Sequence, residues 1–210
     1  MRETIIRKTN NAPDGGELFA GISGNFKEFG QTLCELTDNS ISNFRAHKIR
    51  GRIEITLMNQ DTYVDVSVCD NGTGIEDVDA ALTIAARSCA ESALNEHGMG
   101  LKHALASINA GADQHWSIQT RTAEDAAHDR YQLVESPYSI GMPVYLVPGS
   151  GDIMGDTGTV VRVRCPMHKF LTLKPASKKE EPTFAQMAAY LRETLRYTYA
   201  NLLRDKAFTI

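Results

Sequence analysis

Tyr63-Val64-Asp65-Val66-Ser67-Val68-Cys69-Asp70-Asn71-Gly72-Thr73-Gly74-Ile75 is the stretch on which the reading of this chain turns. Its first half alternates apolar and polar residues, the pattern of a half-buried strand. Its second half is a turn with two glycines two residues apart. Glycines placed there let backbone approach a ligand closely. Asp70 ends the strand and is held by it, so it can aim one specific hydrogen bond. At a pocket floor such a carboxylate accepts from an exocyclic amine.

Upstream, Ile53-Glu54-Ile55-Thr56-Leu57 alternates in the same way, and Asn59-Gln60-Asp61 reads as the hairpin turn between the two strands. Before them, from about Phe26 to Ile49, the pattern is helical. Phe29, Leu33, Leu36, Ser40 and Phe44 fall on one face at three- and four-residue steps. Glu35 and Asn39 lie one helical turn apart on another face, beside Thr32 and Asn43. A glutamate there can take a proton from water, and an asparagine amide oxygen can ligate Mg²⁺.

Downstream, a short helix is expected over Val78–Ala86, and residues 87–97 read as a mobile loop. Gly98-Met99-Gly100-Leu101-Lys102-His103-Ala104 opens a helix to about Asn109. Helix N-termini with glycines present free N–H groups and a positive dipole end, which suits phosphate, and Lys102 adds a cation. Strands are expected at Trp116–Arg121, Tyr131–Glu135, Val144–Val147 and Thr159–Cys165, with a glycine-rich loop from 148 to 158. Lys174–Pro182 is a polar linker. Phe184–Arg204 is a last amphipathic helix with Met187, Leu191, Leu195, Tyr199 and Leu202 or Leu203 on its stripe. This order of elements predicts an α+β fold with a largely antiparallel sheet.

Composition sets the outer limits. The 210 residues are 42% hydrophobic and 23% charged, with a formal net charge of −4. That is an ordinary globular balance. It gives no electrostatic footprint for nucleic acid over the whole chain, although Arg45, His47, Lys48, Arg50 and Arg52 cluster locally. Cys34, Cys69, Cys89 and Cys165 are far apart and show neither zinc spacing nor a disulfide framework, which suits the cytoplasm. No apolar run is long enough for a membrane span, and the first residues do not read as a signal peptide. The histidines, His97 at the loop end included, show no metal-binding spacing.

With these residues in place the sequence resembles the ATPase superfamily of DNA gyrase, the MutL mismatch-repair proteins, the ninety-kilodalton heat-shock chaperone and the sensor histidine kinases. That family's helical Glu-x-x-x-Asn corresponds to Glu35-Leu36-Thr37-Asp38-Asn39, and its Asp-x-Gly-x-Gly to Asp70-Asn71-Gly72-Thr73-Gly74. Its glycine-rich lid end corresponds to Gly98-Met99-Gly100-Leu101-Lys102, and its late Gly-Thr to Gly158-Thr159. The resemblance implies a Bergerat fold, a two-layer α/β sandwich whose mixed, mainly antiparallel sheet is covered on one face by helices. It implies ATP and Mg²⁺ as cofactors. Glu35 would be the general base and Asn39 the Mg²⁺ ligand. Asp70 would hold the adenine amine, with Gly72, Gly74 and Ile75 along the base and Thr159 behind Asp70. Gly98, Met99, Gly100, Leu101 and Lys102 would meet the phosphates, and residues 87–97 would be the lid.

The lid end looks closest to the Microrchidia-type (MORC) ATPases, where a lysine also follows the second glycine by two. One departure stands out: many relatives continue the first motif as Asn-x-x-Asp-Ala, and here Ser42 and Asn43 stand at those positions.

The implied organisation is a leader over 1–25, an ATP-binding domain over 26–173, a linker over 174–182, and a C-terminal helix over 183–210 that begins a following domain of a longer protein. The implied function is slow Mg-dependent ATP hydrolysis, coupled through lid closure and a nucleotide-dependent homodimer to a larger machine. An ATP-binding module without turnover is the alternative. A histidine kinase core is a weaker fit, because no histidine precedes the first motif. Nucleic acid is left to further domains or to the Arg45–Arg52 cluster, and no membrane partner is expected. Taken singly, each motif has a plainer reading: a hairpin turn at Asp70–Gly74, a solvated Glu35, a surface Lys102. Their order and local context together favour the site.

Overall fold

The computed structural model describes residues 15–24, 26–83, 100–111, 113–204 and 208–210. Its elements in chain order are α1 (Gly15–Gly21), α2 (Phe29–His47), β1 (Gly51–Asn59), β2 (Tyr63–Asp70), α3 (Val78–Leu82), α4 (Gly100–Asn109) and β3 (Trp116–Arg121). There follow α5 (Ala123–Ala127), β4 (Arg130–Glu135), β5 (Tyr145–Pro148), β6 (Gly158–Pro166), α6 (Met167–Thr172), α7 (Phe184–Thr198), α8 (Ala200–Arg204) and β7 (Phe208–Thr209).

The two alternating runs form the expected hairpin, with Ile53 opposite Asp70 and Asn59 opposite Val64. The sheet order is β5-β4-β3-β6-β2-β1-β7. All neighbours are antiparallel except β1 and β7, which run parallel. The sheet is therefore mixed and mainly antiparallel, as expected of the Bergerat fold. Its inner face carries Val64, Val66 and Val68 of β2, Val161 and Val163 of β6, Trp116 and Ile118 of β3, and Val134 of β4, all buried. The opposite face carries Asp65, Ser67, Arg162, Arg164, Ser117 and Glu135, and is wetter. Helices cover the inner face, which is why each strand alternates rather than running apolar throughout.

Helix α2 lies over this core. Its apolar stripe buries Phe29, Leu33, Leu36, Ile41 and Phe44 completely or nearly so. Each such side chain is worth about 1.5–3 kcal/mol of burial. Gln31 caps the start by accepting from the backbone N–H of Lys27 and Glu28. Lys48 stops the helix in a left-handed conformation. Gly51 lies directly beneath the Phe44 ring, where any side chain would collide with it.

Three features depart from the sequence pattern. Residues 15–21, within the stretch read as a leader, form α1, and Phe19 is fully buried. Its ring stacks on Tyr138 with centroids 4.7 Å apart. One aromatic in a glycine-flanked segment has no period to reveal it. The short helices α5 and α6 also carry too few turns to show a stripe. The last amphipathic run is broken at Tyr199, so that α7 and α8 replace a single helix. Met187, Leu191, Leu195 and Tyr199 are buried as the stripe requires, and Phe208 of β7 stacks on Phe44 at 5.6 Å. Residues of α7 and β7 thus share one core with α2 and β1.

Candidate functional site

The inner face of the sheet is apolar except at one end. Strand register lines up Asp70 of β2, Thr159 of β6, Thr120 of β3 and Gln132 of β4. One step along each strand the same row reads Val68, Val161, Ile118 and Val134. Asp70, Thr159 and Thr120 are all buried. A row of buried polar side chains must be hydrogen-bonded or used, and this row is both bonded and open to further partners.

Asp70 anchors it. Its Oδ2 accepts from the Ser40 hydroxyl at 2.7 Å, and its Oδ1 accepts from the Gly72 N–H at 2.8 Å. Burial pushes its carboxyl pKa up, while the Ser40 hydroxyl and the Gly72 and Thr159 backbone N–H groups pull it back down. A carboxylate has about four lone-pair directions, so these three donors leave room for one from a ligand. Thr159 lies directly across the strand pair from Asp70. The Thr159 and Thr120 hydroxyls lie 3.3 Å apart.

The turn after Asp70 is held from several sides. Asn43 of α2 donates to the Thr73 hydroxyl at 2.8 Å and accepts from the Thr73 N–H at 3.0 Å. Asn71 accepts from the Arg52 N–H at 2.6 Å, and Thr157 donates to the Gly72 carbonyl at 2.7 Å. Gly74 has φ of +79° and faces the Arg121 carbonyl at a distance no side chain could tolerate. Only glycine serves there. The next N–H, of Ile75, donates to the Thr120 hydroxyl at 2.7 Å.

On α2, one turn before Ser40, Glu35 lies against the backbone of Gly100, the first residue of α4. Any side chain at 100 would strike its carboxylate. Burial, and then the neighbouring Asp38 charge, raise the Glu35 pKa. A carboxylate with raised proton affinity is a better base. Asn39 has its side-chain nitrogen buried without a hydrogen-bond partner among the described residues. The orphaned group is a donor, which an acceptor such as a phosphate oxygen would satisfy, while the amide oxygen is the atom that could ligate a cation.

The sequence expectations can now be placed. Glu35 and Gly100 meet, Asp70 joins α2 through Ser40, Thr159 sits opposite Asp70, and Gly72, Gly74 and Ile75 form the braced turn. Leu101 packs partly into the core. Gly98, Met99 and the loop 87–97 lie outside the described residues. Lys102 behaves differently from a free cation at a surface. It is 1% exposed, and its ammonium donates to the Thr83 carbonyl at 2.7 Å. Burial pulls its pKa down to about 8.

Ser40, Asn43 and Thr120 are site residues the motifs did not name. Ser40 had one signal, a polar residue on an otherwise apolar stripe. Asn43 shares the polar face of Glu35 and Asn39. Thr120 has no local signal, because only strand register puts it beside Thr159.

Residues 27–136 match the protein family described as "Histidine kinase-, DNA gyrase B-, and HSP90-like ATPase". The chain belongs to this ATPase family. Membership makes ATP binding its general property. The chain is also similar to a solved structure described as "Crystal Structure of N terminal domain of a DNA repair protein", with 16% identity and a TM-score of 0.49. That likeness covers 87% of this chain and 48% of the other, so the chain spans about half the neighbour's length. No curated protein matches it. Among the described residues no helix is long and apolar enough to cross a membrane.

Proposed function

We propose that this member of the ATPase family binds Mg-ATP at the polar end of its sheet and hydrolyses it slowly. The observation that carries the reading is Glu35. It is a carboxylate of raised proton affinity, set against the start of α4 and one turn from an orphaned Asn39 amide, on the helix that fixes Asp70. Asp70 accepts the adenine amine, with Thr159 behind it and the Gly72–Ile75 turn along the base. The first turn of α4, with Gly100 and Leu101, faces the phosphates, joined by Gly98 and Met99 of the lid end. Glu35 takes the proton of the attacking water.

Asn39 would hold Mg²⁺ through its amide oxygen, with phosphate oxygens and waters as the remaining ligands, the usual manner for this ion. The ion supplies neutralising charge to the phosphates. Lid closure of residues 87–97, pairing of two copies, coupling to a larger machine and a cytoplasmic setting belong to the same reading. They rest on the family resemblance, as does the narrower likeness to MORC-type enzymes.

One observation favours the second reading, an ATP-binding module without turnover. The Lys102 side chain is buried and its ammonium donates to the Thr83 carbonyl, which draws this cation toward the protein interior. Phosphate release separates the two. Wild type should release phosphate from Mg-ATP, and Glu35→Ala should lower the rate about 100-fold or more, the scale of a lost general base, while still binding ATP in calorimetry. A wild-type chain that binds ATP and releases nothing would establish the module instead.

A further inference from the structure

The C-terminal segment follows α2 along its whole length. At the start of α2, the Tyr190 hydroxyl of α7 donates to Glu28 Oε2 at 3.3 Å, and Gly30 faces the Thr194 methyl group. At its far end Phe208 stacks on Phe44. Between these, Phe26, Glu28, Cys34 and Glu35 face Thr194 and Thr198 across an open cleft of about 440 Å³.

Tyr199, at the break between α7 and α8, makes the contact nearest the site. It is 4% exposed. Its hydroxyl lies 2.8 Å from Asp38 Oδ1 and 3.2 Å from the Cys34 carbonyl. Cys34 immediately precedes Glu35, and Asp38 immediately precedes Asn39. One hydroxyl therefore grips the two residues next to the proposed base and the proposed metal ligand.

We propose that Tyr199 is a positioning residue for ATP turnover. By donating to the Asp38 carboxylate, with the Cys34 carbonyl sharing the proton at longer range, its hydroxyl fixes the one turn of α2 from which Glu35 and Asn39 project. This rests on the hydrolysis reading. Small displacements of a catalytic group cost rate steeply, whereas the Asp70 turn is also held from outside α2, by bonds with Arg52, Thr157 and Thr120. The expected signature is loss of kcat with nucleotide affinity preserved.

The test compares Tyr199→Phe in the full chain with wild type and Glu35→Ala, measuring phosphate release, binding of a non-hydrolysable ATP analogue, and Tm. Tyr199→Phe should lower kcat about tenfold, on the scale of a sub-ångström misplacement, with analogue affinity within about twofold of wild type. Asp38→Ala, which removes the acceptor, should show the same split, and it carries the test if Tyr199→Phe does not fold. Tyr190→Phe, which loses only the bond to Glu28, should turn over like wild type.

Wild-type rates in both Tyr199→Phe and Asp38→Ala, with Glu35→Ala inactive, overturn this inference and leave the hydrolysis reading standing. A rate loss matched by weaker binding, or shared by Tyr190→Phe, overturns it too, because α7 would then be acting only as a structural support. Binding without any wild-type release overturns the hydrolysis reading and this inference together.

Discussion

The Asp70 end of the candidate site and its Glu35 end are built on the same helix in different ways. Around Asp70 the protein supplies the partners: Ser40 and Gly72 to the carboxylate, Asn43 to Thr73, Arg52 to Asn71, Thr157 to Gly72 and Thr120 to Ile75. Around Glu35 the protein leaves work to a ligand. The Asn39 amide nitrogen is buried without a partner among the described residues, and the nearby lysine is turned inward. The first end is preorganised, so its ordering cost is met during folding rather than on binding. A site so divided should separate affinity from turnover, with mutations at one end acting mainly on Kd and at the other on kcat.

Asp70→Asn should break the first half of that contrast most severely. The asparagine oxygen would be claimed by the Gly72 N–H, which can only donate, leaving its amide nitrogen toward Ser40 and the ligand. An adenine amine would then meet a donor. Losing a charged hydrogen bond costs about 1.5–3 kcal/mol, or roughly tenfold to a hundredfold in ATP affinity. Calorimetry with ATP reads this directly, and unchanged affinity would remove Asp70 from the adenine site.

Asn43→Ala probes the brace rather than the anchor. It deletes two bonds to Thr73 of about 1 kcal/mol each, part of which water restores. A threefold to tenfold rise in Kd is expected, with kcat at saturation unchanged. A fall in kcat with Kd intact would show that the turn and the Glu35 end are one unit, and the division drawn above would fail.

The smallest effect concerns Lys102. Its pKa is lowered to about 8 in the fold, against an ordinary value of 10.5. Between these pH values the unfolded chain holds more protons than the native one, so this group makes stability rise with pH across the window. Lys102→Met lacks that contribution. The stability of wild type relative to Lys102→Met, from denaturant titrations at pH 7.5 and 10, should therefore improve at the higher pH. A constant difference would mean that the ammonium is solvated and free to reach a phosphate.

Much of this site is legible from local pattern. Glu35 and Asn39 share a face because four residues make about one helical turn, and Asp70 ends a strand because the alternation stops there. The strands at 116–121 and 158–166 also follow from alternation. Other parts have no local signal. Thr120 joins the site because β3 pairs with β6 in a particular register. Phe19 enters the core because Trp116 and Tyr138, about a hundred residues away in sequence, provide rings to meet it.

By itself, then, the sequence determined the α2 faces, the β1–β2 hairpin, the Asp70–Gly74 turn and the alternation that hides one side of each strand. Those features are written in patterns that repeat every two to four residues, with a short turn joining the two strands, so composition at short spacing suffices to specify them. The tertiary structure alone decided that Asp70, Thr159 and Thr120 form one buried polar row, that Lys102 turns inward to Thr83, and that Tyr199 reaches back across the chain to Asp38. Each of these depends on long-range register or on how one helix docks against another. Burial then decides which partner a polar side chain takes, because an unpaired group in the interior costs more than a distant contact does.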